Sequence, residues 1–176
     1  HGINDLRSFF INSQKQIEVY ADITTSKYLI QSFSYCFHSS SNEYPATLRL
    51  NSLDNNLYTI DKNKKIEIKY VEVEHGKVKS NCFIINKQLA YISDVSKIYE
   101  KDYKLFKNLE YFIIDCLWYK FHPSHFNLET CLKMIKQFSP KKSILTNLHT
   151  DLDYEILKNQ LPKNIIPAHD GLILEL

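Results

Sequence analysis

Imidazoles, carboxylates and small polar side chains recur in this chain at the places where apolar strands should stop. Val71-Glu72-Val73-Glu74-His75-Gly76 alternates with period two, so His75 leaves on the same face as Val71 and Val73, just before a glycine. Leu89-Ala90-Tyr91-Ile92 is a short apolar run that ends at Ser93-Asp94. A carboxylate at the end of a buried strand is costly unless a cation meets it, and a neighbouring imidazole suggests a shared metal. Each has a plainer explanation: His75 as a turn residue, and Asp94 as a carboxylate bonding nearby backbone amides.

Three further pieces of the same kind follow. Asp115 closes the apolar run Leu109–Asp115 and leads to the loop His122-Pro123-Ser124-His125. Thr146-Asn147-Leu148-His149 lies at another strand-to-helix corner, and Ala168-His169-Asp170-Gly171 comes last. Ligand-type residues repeated at strand ends are the pattern of a site on a layered α/β scaffold.

The elements that must position them can be read in order. Residues 5–11 form a short helix capped by Asn4 or Asp5, and Ile17–Ala21 a strand ended by Asp22. Thr24 to Ser26 cap an amphipathic helix whose Tyr28, Leu29, Phe33 and Phe37 share a face. Residues 38–47 have loop composition, with His38 on the surface. Strands follow at 47–50, 58–60, 65–73, 81–85 and 88–92, then a strand ending at Asp115. A helix over Leu128–Phe138, a strand over Lys142–Thr146 and a helix over Asp151–Gln160 come next. Ile165–Ala168 is limited by Pro167 to an edge or a strand end, and Leu172–Leu176 forms a closing strand. Strands in the middle with helices at both ends predict two sheets with helices packed outside.

Composition bounds the function. The 176 residues carry 22 Lys and Arg against 20 Asp and Glu, a net charge of +2 that gives no warrant for nucleic-acid binding. The dense basic cluster Lys62-Asn63-Lys64-Lys65 suits a solvated hairpin turn. No apolar run approaches the ~20 residues of a membrane span, and no signal-like segment opens the sequence, so the expected compartment is the cytoplasm with no membrane partner. Cys36, Cys82, Cys116 and Cys131 are scattered, without a Cys-x-x-Cys pair, and read as reduced buried thiols.

Taken together, these phrases resemble the metallo-β-lactamase superfamily, and within it the branch of phosphoribosyl cyclic phosphate phosphodiesterases. The matching stretches are residues 2–7 (Gly-Ile-Asn-Asp-Leu-Arg), 19–22 (Val-Tyr-Ala-Asp), His75-Gly76, 90–96 (Ala-Tyr-Ile-Ser-Asp-Val-Ser), 122–128 (His-Pro-Ser-His-Phe-Asn-Leu), 145–154 (Leu-Thr-Asn-Leu-His-Thr-Asp-Leu-Asp-Tyr) and 170–172 (Asp-Gly-Leu), in the family's order along the whole chain. The resemblance implies an α/β fold, the αβ/βα sandwich, with two divalent metals, Zn or Mn, at one edge. His75 would bind the first metal, Asp94 would bridge both, and a residue of the Thr146–His149 corner would bind the second. The family's corner reads Thr-His where this chain has Thr146-Asn147, so either His149 takes that place or the ligand is gone, with Asn147 left in the corner. His125 would be the general acid to the leaving oxygen, although without the resemblance the favoured reading is a helix-capping surface histidine. Arg7 suits phosphate recognition or, as on many amphipathic helices, a structural ion pair.

The family's His-x-His-x-Asp-His signature precedes the Gly-Ile-Asn-Asp-Leu-Arg phrase and would lie upstream of residue 1, together with the first strands. The expectation is therefore a single incomplete metallo-β-lactamase-like domain over residues 1–176, a partial sandwich. Alone it would hold at most one weakly bound metal and be inactive, pairing with a complementary amino-terminal fragment. The substrate implied is a small-molecule phosphodiester of cyclic or nucleotide type. The alternative is a non-catalytic remnant or interaction module from a split gene.

Overall fold

A computed structural model describes residues 2–39, 44–53, 58–59 and 66–175. The chain divides into two compact units, His1–Asn56 and Leu57–Leu176. The Lys62–Lys65 cluster, Ile60 and Leu176 lie outside the described residues.

In the first unit a 3-10 turn, Gly2–Leu6, runs straight into α1 (Arg7–Ser13), followed by β1 (Ile17–Ala21), α2 (Ile23–Phe37) and β2 (Leu48–Ser52). The expected cap of α1 by Asn4 or Asp5 does not form. Leu6, already helical at φ −63°, holds the cap position without a side-chain bond, and the Asn4 side-chain oxygen Oδ1 instead accepts from the Tyr35 hydroxyl. The cap of α2 is Asp22, not Thr24 to Ser26. Its Oδ1 accepts from the Thr24 and Thr25 amides at 2.9 and 3.0 Å, and its Oδ2 from the Thr25 hydroxyl at 2.6 Å. A carboxylate outcompetes hydroxyls there because it takes several donors at once and faces the positive end of the helix. The inward face of α2 runs through Leu29, Phe33, Cys36 and Phe37, while Tyr28 is exposed. The helix bends at Phe33, whose backbone is non-helical. Strands β1 and β2 pair in parallel, Ile17 opposite Leu48 and Ala21 opposite Ser52.

The second unit is a seven-stranded mixed sheet in sequence order: β3 (Tyr58–Thr59), β4 (Glu67–His75), β5 (Val78–Ile85), β6 (Leu89–Ile92), β7 (Tyr111–Asp115), β8 (Lys142–Thr146) and β9 (Ile165–Pro167). Strand β5 starts at Val78, not at Asn81, because the two-residue Gly76-Lys77 turn pairs Val78 directly with His75. The first four strands are antiparallel, and β6 to β9 are parallel. Since β4 and β6 are both antiparallel to β5, the carboxyl ends of β4, β6, β7, β8 and β9 share one edge of the sheet. That edge is where α/β sheets place their ligands.

Helix α3 (Leu128–Phe138) covers β7 with Cys131, Met134, Ile135 and Phe138, the spacing of one helical face. Phe138 stacks on Phe106 at 5.3 Å and meets Phe112 edge-on at 5.8 Å. Helix α4 (Tyr154–Gln160) begins at Tyr154, later than expected from Asp151, because Asp153 is its cap and accepts from the Ile156 amide. The closing strand expected at the carboxyl end is absent over residues 172–175. The Leu172 amide turns back to the His169 carbonyl, and Ile173 stays exposed.

Candidate metal centre

Strand β4 delivers His75 at its last position, held by pairing to Val78 on one side. On the other side the loop after β6 is tied down: the Ser96 amide donates to the Glu74 carbonyl at 2.7 Å, and the Glu74 amide to the Lys97 carbonyl at 3.0 Å. The Ser96 hydroxyl oxygen accepts from the Gly76 amide at 3.0 Å. These bonds set Asp94, two residues past β6, beside His75. Its Oδ2 accepts from the Ser93 hydroxyl at 2.8 Å.

A third residue joins them from the loop between β7 and α3. Among the described residues, one group of three potential ligands has its atoms all within 4.8 Å of one another: His75, Asp94 and His125, each partly buried. The two imidazole rings lie edge to face, 4.6 Å apart.

Both histidines are oriented through Nδ1. The His75 Nδ1 is 2.8 Å from the Ser124 carbonyl oxygen. A carbonyl can only accept, so Nδ1 carries the proton and Nε2 keeps its lone pair. The His125 Nδ1 is 2.7 Å from Oδ2 of Asp115, again placing a proton on Nδ1. Asp115 is wholly buried. Its Oδ2 also accepts from the Val95 amide at 2.9 Å, and its Oδ1 from the Asn147 side-chain amide at 3.0 Å. Burial raises the Asp115 carboxyl above its ordinary pKa, while Val95, Asn147 and His125 pull it back. The carboxylate thus links the ends of β6, β7 and β8 to one imidazole.

Gly76 is required where it stands. Its φ is +61°, and an added Cβ would fall 2.4 Å from the Ser124 hydroxyl oxygen. Only a bare backbone lets the 122–125 loop settle on the end of β4 and bring the Ser124 carbonyl to His75.

The other sequence candidates are placed differently. His149 stands outside the group: it is exposed, its ring lies 5.3 Å from that of Trp118, and its Nδ1 accepts from the Asp151 amide at 3.1 Å. Asn147, at φ +60°, spends its amide on Asp115. His169 bonds locally to the Asp170 carbonyl, and His38 is exposed at the end of α2. Arg7, in the first unit, lines a cleft with Asn4, Tyr35 and Tyr44, and pairs with no carboxylate among the described residues. The sequence gives Asp115, Ser124 and Asn147 no orienting role. Asp115 ends its apolar run as Asp94 does, Asn147 stands where the family has a histidine, and Ser124 leaves no signal.

The donor set fits a metal. Two imidazoles that, when neutral with the proton on Nδ1, offer Nε2, together with one carboxylate, are the ligands of borderline divalent ions, and the buried carboxylate and the carbonyl behind the rings are the outer partners such ligands need.

Comparison with known proteins identifies the family and the fold. Residues 1–147 match the beta-lactamase superfamily domain model. The crystal structure of a new diphosphatase from the PhnP family superposes with a TM-score of 0.86 at 25% identity, over 99% of this chain and 66% of that one. The metallo-beta-lactamase fold protein YhfI from Bacillus subtilis gives 0.72 at 14% identity, covering 97% and 71%. Zn(2+)-bound PqqB from Methylobacterium extorquens gives 0.68 at 12%, covering 94% and 64%. These last two likenesses concern the fold. No curated protein matches the sequence significantly. No helix among the described residues is long and apolar enough to cross a membrane. With its mixed α/β sheet, its site at the strands' carboxyl edge and a family match over most of its length, the chain belongs to the metallo-β-lactamase superfamily.

Proposed function

We propose that the chain is part of a metal-dependent phosphodiesterase acting on cyclic or nucleotide-type phosphodiesters. The observation that carries this reading is the convergence of His75, Asp94 and His125 within 4.8 Å at the family's site edge. The likeness to a PhnP-family diphosphatase supports phosphorus as the centre attacked. His75 through Nε2 and Asp94 through its carboxylate would hold a divalent ion, Zn or Mn. His149, whose Nδ1 is already engaged, would offer Nε2 to a second ion. Bound there, such an ion supplies positive charge against the phosphoryl oxygens.

The chain's own part in the chemistry is proton delivery. His125, held through Nδ1–H by Asp115, would carry a proton on Nε2 and pass it to the departing oxygen, becoming neutral while the carboxylate holds the ring in place. A second reading, favoured by the same 4.8 Å grouping, makes His125 a third metal ligand. Metal titration by calorimetry, with hydrolysis of a 2′,3′-cyclic nucleotide, whose alkoxide leaving group needs a proton, beside bis(p-nitrophenyl) phosphate, whose phenolate leaves unaided, decides between them. As a general acid, His125→Gln loses hydrolysis of the cyclic nucleotide and keeps metal affinity. As a ligand, it loses both. Repeating the assay with a polypeptide carrying a His-x-His-x-Asp-His segment tests the expected second half of a two-metal centre. No metal uptake and no hydrolysis in either arm would end the phosphodiesterase reading in favour of a non-catalytic module.

A further inference from the structure

Between β7 and α3 the chain reads Trp118-Tyr119-Lys120-Phe121-His122, four rings and one ammonium group in five residues, and little of it serves the core. Phe121 is 82% exposed, and Tyr119 is 42% exposed. The loop is nonetheless well fastened. The Leu117 amide donates to the Phe126 carbonyl and the Leu128 amide to the Trp118 carbonyl, both at 2.9 Å. The Trp118 indole N–H donates to Asp151 at 2.7 Å, and the Lys120 ammonium lies 5.3 Å from the Trp118 ring centre. A fixed loop that holds a bare phenyl ring in water does not stabilise the fold by doing so, and such a ring is free to pack against something planar.

What lies beside it identifies the class of ligand. Phe121 and His122 line a cleft of about 240 Å³ together with His125, Ser96 and the Lys97–Glu74 ion pair, 3.5 Å from Nζ to Oε1. The His122 and His125 rings are 5.1 Å apart, so the aromatic segment and the proposed acid border the same space. The Ser124 amide donates to Nδ1 of His122, which leaves its proton on Nε2, available to an acceptor in the cleft. Rings alternating with cationic and donor groups suit a heterocycle attached to a phosphate. They suit neither a lipid tail, which would need a continuous apolar patch, nor a bare sugar phosphate, which has no flat face to cover Phe121.

We infer that Phe121, with His122 beside it, is a stacking platform for the nucleobase of a nucleotide-type phosphodiester, held next to His125. This narrows the phosphodiesterase reading and rests on it.

Trp118 is the chain's single tryptophan and sits at the base of this loop, so its emission reports occupancy. The chain, with metal removed, is titrated with 5′-AMP and separately with ribose 5-phosphate, by Trp118 emission and by equilibrium dialysis. The two ligands share phosphate and ribose, so any difference belongs to the base. AMP should half-saturate at about one tenth of the ribose 5-phosphate concentration. Phe121→Ala should abolish that preference and Phe121→Tyr should retain it, with far-UV circular dichroism confirming that both variants are folded. Equal affinities, a preference surviving in Phe121→Ala, or no AMP binding at millimolar concentration would each overturn the platform. AMP preference without any hydrolysis of the chromogenic diester, with or without the polypeptide carrying the His-x-His-x-Asp-His segment, would instead overturn the hydrolase reading and leave the base site standing.

Discussion

Asp115 and His125 meet at 2.7 Å, Oδ2 to Nδ1, with the carboxylate wholly buried and the imidazole partly so. The same carboxylate takes the Val95 amide and the Asn147 side chain, so one buried group orients a site histidine and ties three strand ends together. Asp115→Asn keeps the shape but replaces one accepting oxygen by a donor that must face another donor. The folded state should lose about 1–3 kcal/mol, read from urea unfolding. A variant as stable as the parent would show that the carboxylate is not holding these ends.

Metal should stabilise the folded chain by mass action. At a hundredfold excess over its dissociation constant an ion adds about 2.7 kcal/mol, visible as a raised melting temperature. Zn or Mn should produce that rise in the parent. His75→Ala and Asp94→Ala should both remove it; Asp94→Ala should leave the metal-free melting temperature nearly unchanged, while His75→Ala lowers it by the loss of the Ser124 bond. An undiminished rise in both variants would place the ion elsewhere.

Gly76→Ala should be destabilising by about 1–3 kcal/mol, since it combines a left-handed backbone with a Cβ only 2.4 Å from the Ser124 hydroxyl. Pairing it with Ser124→Gly removes the clash but not the backbone strain, so the double variant should recover only part of the loss. Full recovery would mean that the positive φ costs nothing here.

Removing the Phe138 ring takes away the partner of Phe106, Phe112 and Tyr103 at the base of the second unit. Phe138→Ala should cost about 3–5 kcal/mol in chemical denaturation. A loss below about 1 kcal/mol would show that this cluster is not a main part of the core.

The thiols make a further test. Burial pushes Cys82 and Cys131 above the ordinary thiol pKa, so the reactive thiolate is scarcer in the folded chain than in the unfolded one. With all four cysteines buried and free, reaction with an aromatic disulfide reagent near pH 8 should be slow until denaturant is added. Rapid labelling of Cys82 or Cys131 in the native protein would contradict their placement.

Several features were legible in the residues alone because they are local. The alternation ending at His75, the apolar runs ending at Asp94 and Asp115, and the boundaries of Ile17–Ala21, Leu128–Phe138 and Lys142–Thr146 follow from periodicity and from the polar residues that interrupt it. The order of polar phrases carried the family as well. Helix starts were less legible, because a carboxylate such as Asp22 competes with nearby hydroxyls for the same amides, and only the folded backbone shows which is in reach.

The membership of the site was decided by tertiary structure. Apart from the family resemblance of residues 122–128, no local pattern near His125 indicates that its loop will lie across the end of β4. That follows from the missing Cβ of Gly76, the Ser124 carbonyl at His75, and the buried Asp115 drawing His125 inward. Likewise, His149 resembles a ligand in its own phrase, yet the turn after β8 commits its Nδ1 to the Asp151 amide and its ring to the neighbourhood of Trp118. Strand ends announce themselves through patterns two to seven residues long. Which side chains then gather around one point depends on bonds between residues tens of positions apart, and those exist only once the sheet has formed.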